Sequence, residues 1–136
     1  MQIAAARAWT ALGVSREVIN AAMKVHSALG PGLLESAYEA CLQYELGKAG
    51  LKVQAQLPLP VVYDGIRLDI GYRIDLLIQD LVVVELKAAE AVTPVHQAQL
   101  LSYLKLSGKS LGLMINFNVV HLKDGIKRYV IGRNWK

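Results

Sequence analysis

The chain has 136 residues, 54% of them hydrophobic and 19% charged, enough for one compact core, too few for two ordinary domains, and too apolar for disorder. The formal net charge of +4 modestly favours a polyanionic partner, although many small domains carry this much charge for solubility alone. A single cysteine, Cys41, excludes an internal disulfide framework and a cysteine-rich zinc site, and no apolar run reaches membrane-spanning length.

Residues 1–13 are alanine-rich, with Trp9 and Leu12 as anchors and Gly13 as an interruption, and read as an N-terminal extension to a single domain. Arg7 falls inside the apolar part of Met1–Leu12 with no basic leader before it, so the expected setting is cytoplasmic. Ser15 is the expected N-cap of a helix running to about Leu29, with Val18, Ala21, Ala22, Val25 and Leu29 at helical spacing. Gly30-Pro31-Gly32 breaks it. A second helix is expected from about Leu33 to Lys48, with Leu34, Ala37, Tyr38, Cys41, Leu42 and Leu46 on its apolar face and Gly50 as its stop. From Val53 to Tyr63 apolar residues alternate with Gln54, Gln56, Pro58 and Pro60, which predicts a strand buried on one face and lying at an edge or near a bulge.

Asp64-Gly65 is a hairpin turn into Ile66–Ile70. Next come two apolar strands, Tyr72 to Ile78 and Leu81 to Lys87, joined at Gln79-Asp80. A helix from Val95 to about Leu106, ended by Gly108, a buried strand Leu111–Phe117 and a last hairpin around Asp124-Gly125 complete a mixed α/β chain.

Asp75, Glu85 and Lys87 interrupt what is otherwise core, and an unpartnered buried charge is costly. Glu85 and Lys87, two apart on one strand, share a face. Asp75 lies on the neighbouring strand, and two carboxylates converging at a strand pair are hard oxygen ligands suited to Mg²⁺ or Mn²⁺, while a lysine beside them can orient or help deprotonate a water. The geometry is conditional. A strict two-residue turn at Gln79-Asp80 would pair Asp75 with Val84 and put the two acids on opposite faces, so an odd-length loop or a bulge is required.

Other candidates carry plainer alternatives. Glu35, just after the glycine pair, complements a helix dipole or supplies a further ligand. Tyr38, on the same face, packs or hydrogen-bonds beside it, and Glu39 reads as a solvated charge. Gln99 and Tyr103, four apart, project together: the amide can hold the lysine or a phosphate, and the ring can bond or stack. His26 is a candidate ligand, though most helix histidines are satisfied structurally, and His96 and His121 are weaker. Lys105, Lys109, Lys123, Lys127, Arg128, Arg133 and Lys136 thicken toward the C-terminus as a solvated face or a phosphate-contacting rim.

Asp75 followed by Glu85-Leu86-Lys87 resembles the signature of the PD-(D/E)XK nuclease superfamily. Gly32-Leu-Leu-Glu35-Ser-Ala-Tyr38 is similar to the motif of its GxxExxY branch, and Gln99-Leu-Leu-Ser-Tyr103 to the QxxxY helix motif of its exonuclease-like members. The resemblance spans Val18 to Ile131, with one departure: Ile74, not proline, precedes Asp75. It implies a restriction-endonuclease-like fold with an α-β-β-β-α-β core. It also implies a Mg²⁺ or Mn²⁺ site made by Asp75, Glu85 and the Leu86 carbonyl, joined by Glu35 and with His26 as a further candidate ligand. Lys87 would assist the attacking water, with Gln99 in the catalytic set and Tyr38, Tyr103, Lys105 and Lys109 as nucleic-acid contacts.

The leading expectation is therefore a Mg²⁺-dependent nuclease acting on nucleic acid, DNA ahead of RNA, with no membrane partner. A catalytically inactive binding or assembly module and a small-phosphoester hydrolase are the alternatives. A chain this small has little surface to enclose a duplex, which points to a homodimer or a partner protein.

Overall fold

The computed structural model describes residues 8–136, so the first seven residues of the expected N-terminal extension lie outside the described residues. The end of that extension is helical: α1 spans Ala11–Leu29 and is capped by Thr10, whose side chain accepts from the Gly13 amide at 3.0 Å. Gly13 therefore sits inside the first turn rather than interrupting it, and glycine suits the position because a Cβ there would press on the capping oxygen at 3.1 Å. Ser15, expected as the cap, is buried within the helix and returns its hydroxyl to the Leu12 carbonyl. The helix ends at Gly30, whose φ of 67° is a conformation costly for other residues.

α2 spans Glu35–Lys48 and buries Tyr38, Leu42 and Leu46, whereas Leu34, expected on its apolar face, is exposed at its N-cap. Among the described residues, five strands form one sheet: β1 (Val53–Pro58), β4 (Arg73–Ile78), β5 (Val82–Lys87), β6 (Leu111–Asn116) and β7 (Ile126–Val130), in the order β1-β4-β5-β6-β7. Only β5 and β6 run parallel, and α3 (Pro94–Ser107) supplies the crossover between them. The expected α-β-β-β-α-β order is thus realised by α2, β1, β4, β5, α3 and β6.

One face of the sheet, including Leu76, Val84, Leu86 and Leu113, packs under α1 and α2. The other, including Leu77, Val83 and Met114, packs under Leu100, Tyr103 and Leu104 of α3. Gly112 lets α3 lie close to β6, since a Cβ there would meet Leu100 and Leu104 side-chain atoms at 3.0 and 3.2 Å.

The predicted strand from Val53 to Tyr63 is two elements. β1 is an edge strand as its prolines imply, but β2 (Val61–Tyr63) leaves the sheet to pair only with β3 (Ile66–Leu68) around Asp64-Gly65. The ribbon exposes Val62, Tyr63 and Ile66, so period-two alternation there does not report burial on the main sheet. The C-terminal hairpin also differs from expectation. Asp124 and Gly125 end a 3₁₀ turn (Leu122–Gly125) leading into β7 rather than forming a tight two-residue turn.

Candidate active site

The position of the acids is set by strand register. β4 and β5 pair Ile78 with Val82 and Leu76 with Val84, which leaves three residues, Gln79, Asp80 and Leu81, in the connection. Gln79 and Asp80 both adopt positive φ, at 53° and 55°, and the Leu81 amide closes back on the Ile78 carbonyl. This is the odd-length loop that the sequence required, and it sets Asp75 opposite Glu85 rather than Val84.

At that level the ladder gives way to side chains. The Asp75 amide donates to Glu85 Oε1 at 3.2 Å, and Asp75 Oδ2 accepts from the Leu86 amide at 2.9 Å. Alternation also breaks here. Leu76 and Ile78 belong to the layer under α1 and α2, yet Ile74 packs with the α3 layer. On β1, Val53 and Leu57 divide between the two layers in the same way. The residue in register with Asp75 on β1 is Gln56, which holds φ at 51°, so both strands turn over at one level. Gln56 Nε2 donates to Glu39 Oε1 at 3.0 Å and to Asp75 Oδ1 at 3.4 Å, tying α2 to the acid pair.

Electrostatics follow from that crowding. Burial, and next the charge of Asp75, push the Glu85 carboxyl up to about 9, with the Asp75 amide and Lys87 pulling the other way. Glu35, at the exposed first turn of α2, is also raised, first by partial burial and then by Asp75, while Lys87 opposes. Glu35, Asp75, Glu85 and Lys87 are thus electrostatically coupled, and no ion pair within 4.0 Å neutralises Asp75, Glu85 or Lys87 among the described residues.

A half-buried and a buried carboxyl held together, whose joint ionisation is unfavourable, form a donor set that a cation would favour in its ionised form. No three His, Cys, Asp or Glu side chains among the described residues are grouped as a ready-made cage. Mg²⁺ does not need one, because it keeps several waters and is commonly bound by one or two carboxylates. Asp75 and Glu85 fit that requirement.

Protonation of Glu85 links the protein's stability to pH. Its folded value is raised above the ordinary 4.5, so the stability it contributes is complete below about 4.5 and is lost as pH rises toward about 9. In chelator the thermal midpoint should fall across that interval, and Glu85→Gln should flatten the slope. Mg²⁺ should restore the wild-type midpoint most at the alkaline end, because binding requires the deprotonated acid. A wild-type midpoint that rises with pH in chelator would contradict this placement.

Other predicted residues divide. Gln99 and Tyr103 share α3, with the Gln99 amide donating to the Tyr103 hydroxyl at 2.9 Å. Tyr103 is raised first by burial and then by the charge of Glu85, which places it beside the acids. Lys87, Gln99 and Tyr103 line one groove of about 680 Å³ together with Tyr72 and Val61.

Tyr38, expected to touch nucleic acid, is fully buried instead. Its hydroxyl donates to the Gly30 carbonyl at 2.6 Å and accepts from the Leu33 amide at 3.1 Å, and its ring stacks on Phe117 at 4.5 Å. It clamps the loop that delivers Glu35. His26, a candidate ligand, is largely buried with Nε2 2.8 Å from the Val119 carbonyl and in ring contact with Phe117, the arrangement of a structurally satisfied helix histidine. Lys109 pairs with Asp80 at 3.1 Å at the loop end of the hairpin, about 16 Å along the strand from Glu85. Lys105 is exposed on α3 outside the groove lining.

Three residues escaped the sequence reading. Glu39, read as solvated, is drawn toward Asp75 through Gln56, and Gln56 itself went unnoticed within an alternating strand. Asn116 is 3% exposed and bonds the Ala89 amide and carbonyl at 3.2 and 2.9 Å, fixing the chain two residues past Lys87. A polar residue inside the run Leu113-Met-Ile-Asn-Phe was the available signal, of the same kind that exposed Asp75 and Glu85.

A sequence model of the PD-(D/E)XK nuclease superfamily matches residues 13–129. No curated protein and no solved structure matches the chain significantly. No helix among the described residues is long and apolar enough to cross a membrane.

Proposed function

Because the chain belongs to the PD-(D/E)XK nuclease superfamily and has its restriction-endonuclease-like fold, we propose that it is a divalent-metal-dependent nuclease of the GxxExxY branch, cleaving phosphodiester bonds in DNA or RNA. The observation that carries this reading is the opening of the β4–β5 ladder at Asp75 and Glu85, with Lys87 on the same strand and neither acid in an ion pair among the described residues. Asp75 and Glu85 would hold the ion, with the Leu86 carbonyl and Glu35 as further donors directly or through water. A divalent ion there supplies charge to polarise the scissile phosphate and to acidify a water.

The protein's own groups do the rest. Lys87 stands within electrostatic range of both Glu35 and Glu85, where an ammonium can orient the attacking water and offset charge growing on the phosphate. Gln99 and Tyr103 form the adjacent wall, with a side-chain amide free to hold phosphate on its remaining hydrogen. Gln56 and Glu39 brace Asp75 from the β1 side. A reducing, cytoplasmic setting suits the free thiol of Cys41.

The inactive-module alternative is disfavoured, because a pure binding surface gains nothing from two carboxylates facing phosphate. The test is cleavage of end-labelled DNA and RNA in Mg²⁺ or Mn²⁺ with purified wild type and Lys87→Met. Wild type should cleave and lose activity in chelator, and the methionine variant should fall by about 10²- to 10⁴-fold. Equal rates in both proteins would mean that the activity belongs to a contaminant.

A further inference from the structure

The groove beside Lys87 has the wrong chemistry for the outside of a double helix. Its lining includes Val61 from the β2–β3 ribbon, Tyr72 at the approach to β4, and Val95, Tyr103 and Leu106 from α3. Lys87 and His96 are its only lining residues that can carry positive charge. A duplex is held mainly by rows of phosphate contacts, each neutralised by lysine or arginine. Here Lys109 is engaged by Asp80 at the far end of the sheet and Lys105 lies outside the lining.

The groove does offer aromatic and apolar walls at a size that admits a nucleobase. Its volume of about 680 Å³ lies within the range of small-molecule sites. Tyr72 is 43% exposed and meets the buried Tyr103 edge-on, with ring centroids 6.1 Å apart and planes at 61°. A tyrosine braced by one ring contact and still partly exposed can serve as a stacking platform, and it stands three residues before Asp75.

We propose that this groove stacks an unpaired base of single-stranded nucleic acid on Tyr72, seating the phosphate next to that base at the acid pair. The proposal deepens the nuclease reading and rests on it for the identity of the reacting phosphate. A duplex base reaches the groove only after flipping out of its stack, at a cost of a few kcal/mol. Single strands and unpaired ends avoid that cost.

The probes are fluorescein-labelled oligo-dT and oligo-U of about 12 nucleotides, within the span of known single-strand sites, and a blunt duplex of the same length. Anisotropy in Ca²⁺ reads binding, and gels in Mg²⁺ read cleavage. The proposal predicts at least about tenfold tighter binding of a single strand than of duplex. Tyr72→Ala should weaken single-strand binding by about 10- to 100-fold, and Tyr72→Phe should retain it, since a stack needs the ring and not the hydroxyl. The relative affinities of the two oligomers distinguish DNA from RNA as the source of the base.

Duplex bound as tightly as single strand, or a Tyr72→Ala protein of unchanged thermal midpoint that binds like wild type, overturns the proposal. Selective, Tyr72-dependent binding without cleavage would uphold the groove and defeat the nuclease reading. Cleavage indifferent to Tyr72 and to strandedness would do the reverse.

Discussion

Asp75→Asn should abolish metal-dependent cleavage, by at least about 10³-fold, while leaving the protein as stable as wild type or more stable by roughly 1 kcal/mol at pH 7 in chelator. The two effects have one cause. The charge of Asp75 raises both Glu85 and Glu35, so removing it relieves a like-charge cluster. The asparagine oxygen can still accept from the Leu86 amide that Asp75 Oδ2 binds at 2.9 Å. A structural acid would behave oppositely, because losing a satisfied buried carboxylate costs stability. Thermal melts and cleavage rates on the same preparation separate the cases: a lower midpoint with retained cleavage would show that Asp75 holds the fold rather than the chemistry.

Gly125→Ala should be the most damaging single-methyl change outside the acid pair, costing about 3 kcal/mol and lowering the thermal midpoint by roughly 10 °C. A Cβ at Gly125 would overlap the Asn116 carbonyl oxygen, a backbone atom that no rotamer change can move aside. Asn116 in turn ties the Ala89 amide and carbonyl and the Asn118 amide, so the strain would reach the segment following Lys87. Gly112→Ala is the comparison, since a Cβ there meets only side-chain atoms of Leu100 and Leu104. That variant should cost about 1 kcal/mol and keep cleavage near the wild-type rate. Equal midpoints for the two variants would contradict the close approach at Gly125.

The acid pair was legible because burial makes charge conspicuous. Asp75, Glu85 and Lys87 interrupt apolar strands, and the parity of the hairpin alone demanded an odd connection, which Gln79-Asp80-Leu81 provides. Elements bounded by glycine and proline were legible for similar local reasons, as at α3, where Thr93 caps and Gly108 terminates. What escaped depended on geometry that no local pattern encodes. Gln56 sits in a plain alternating strand, and only its positive φ and its register with Asp75 reveal it. Tyr38 lies in the motif beside Glu35, yet its ring turns inward onto Phe117, a partner far along the chain. The ribbon from Val61 to Leu68 shows the converse: a strong turn and good alternation made strands, but no core face came to meet them.

Asp75 and Glu85 are proposed to share one cation at the point where β4 and β5 part. Crystals grown with Mn²⁺ and measured at the manganese edge test that directly. An anomalous peak within about 2.3 Å of a carboxylate oxygen from each residue, absent in Asp75→Asn, is the predicted result. A fully occupied manganese elsewhere, with the Asp75–Glu85 opening holding only water, would contradict it.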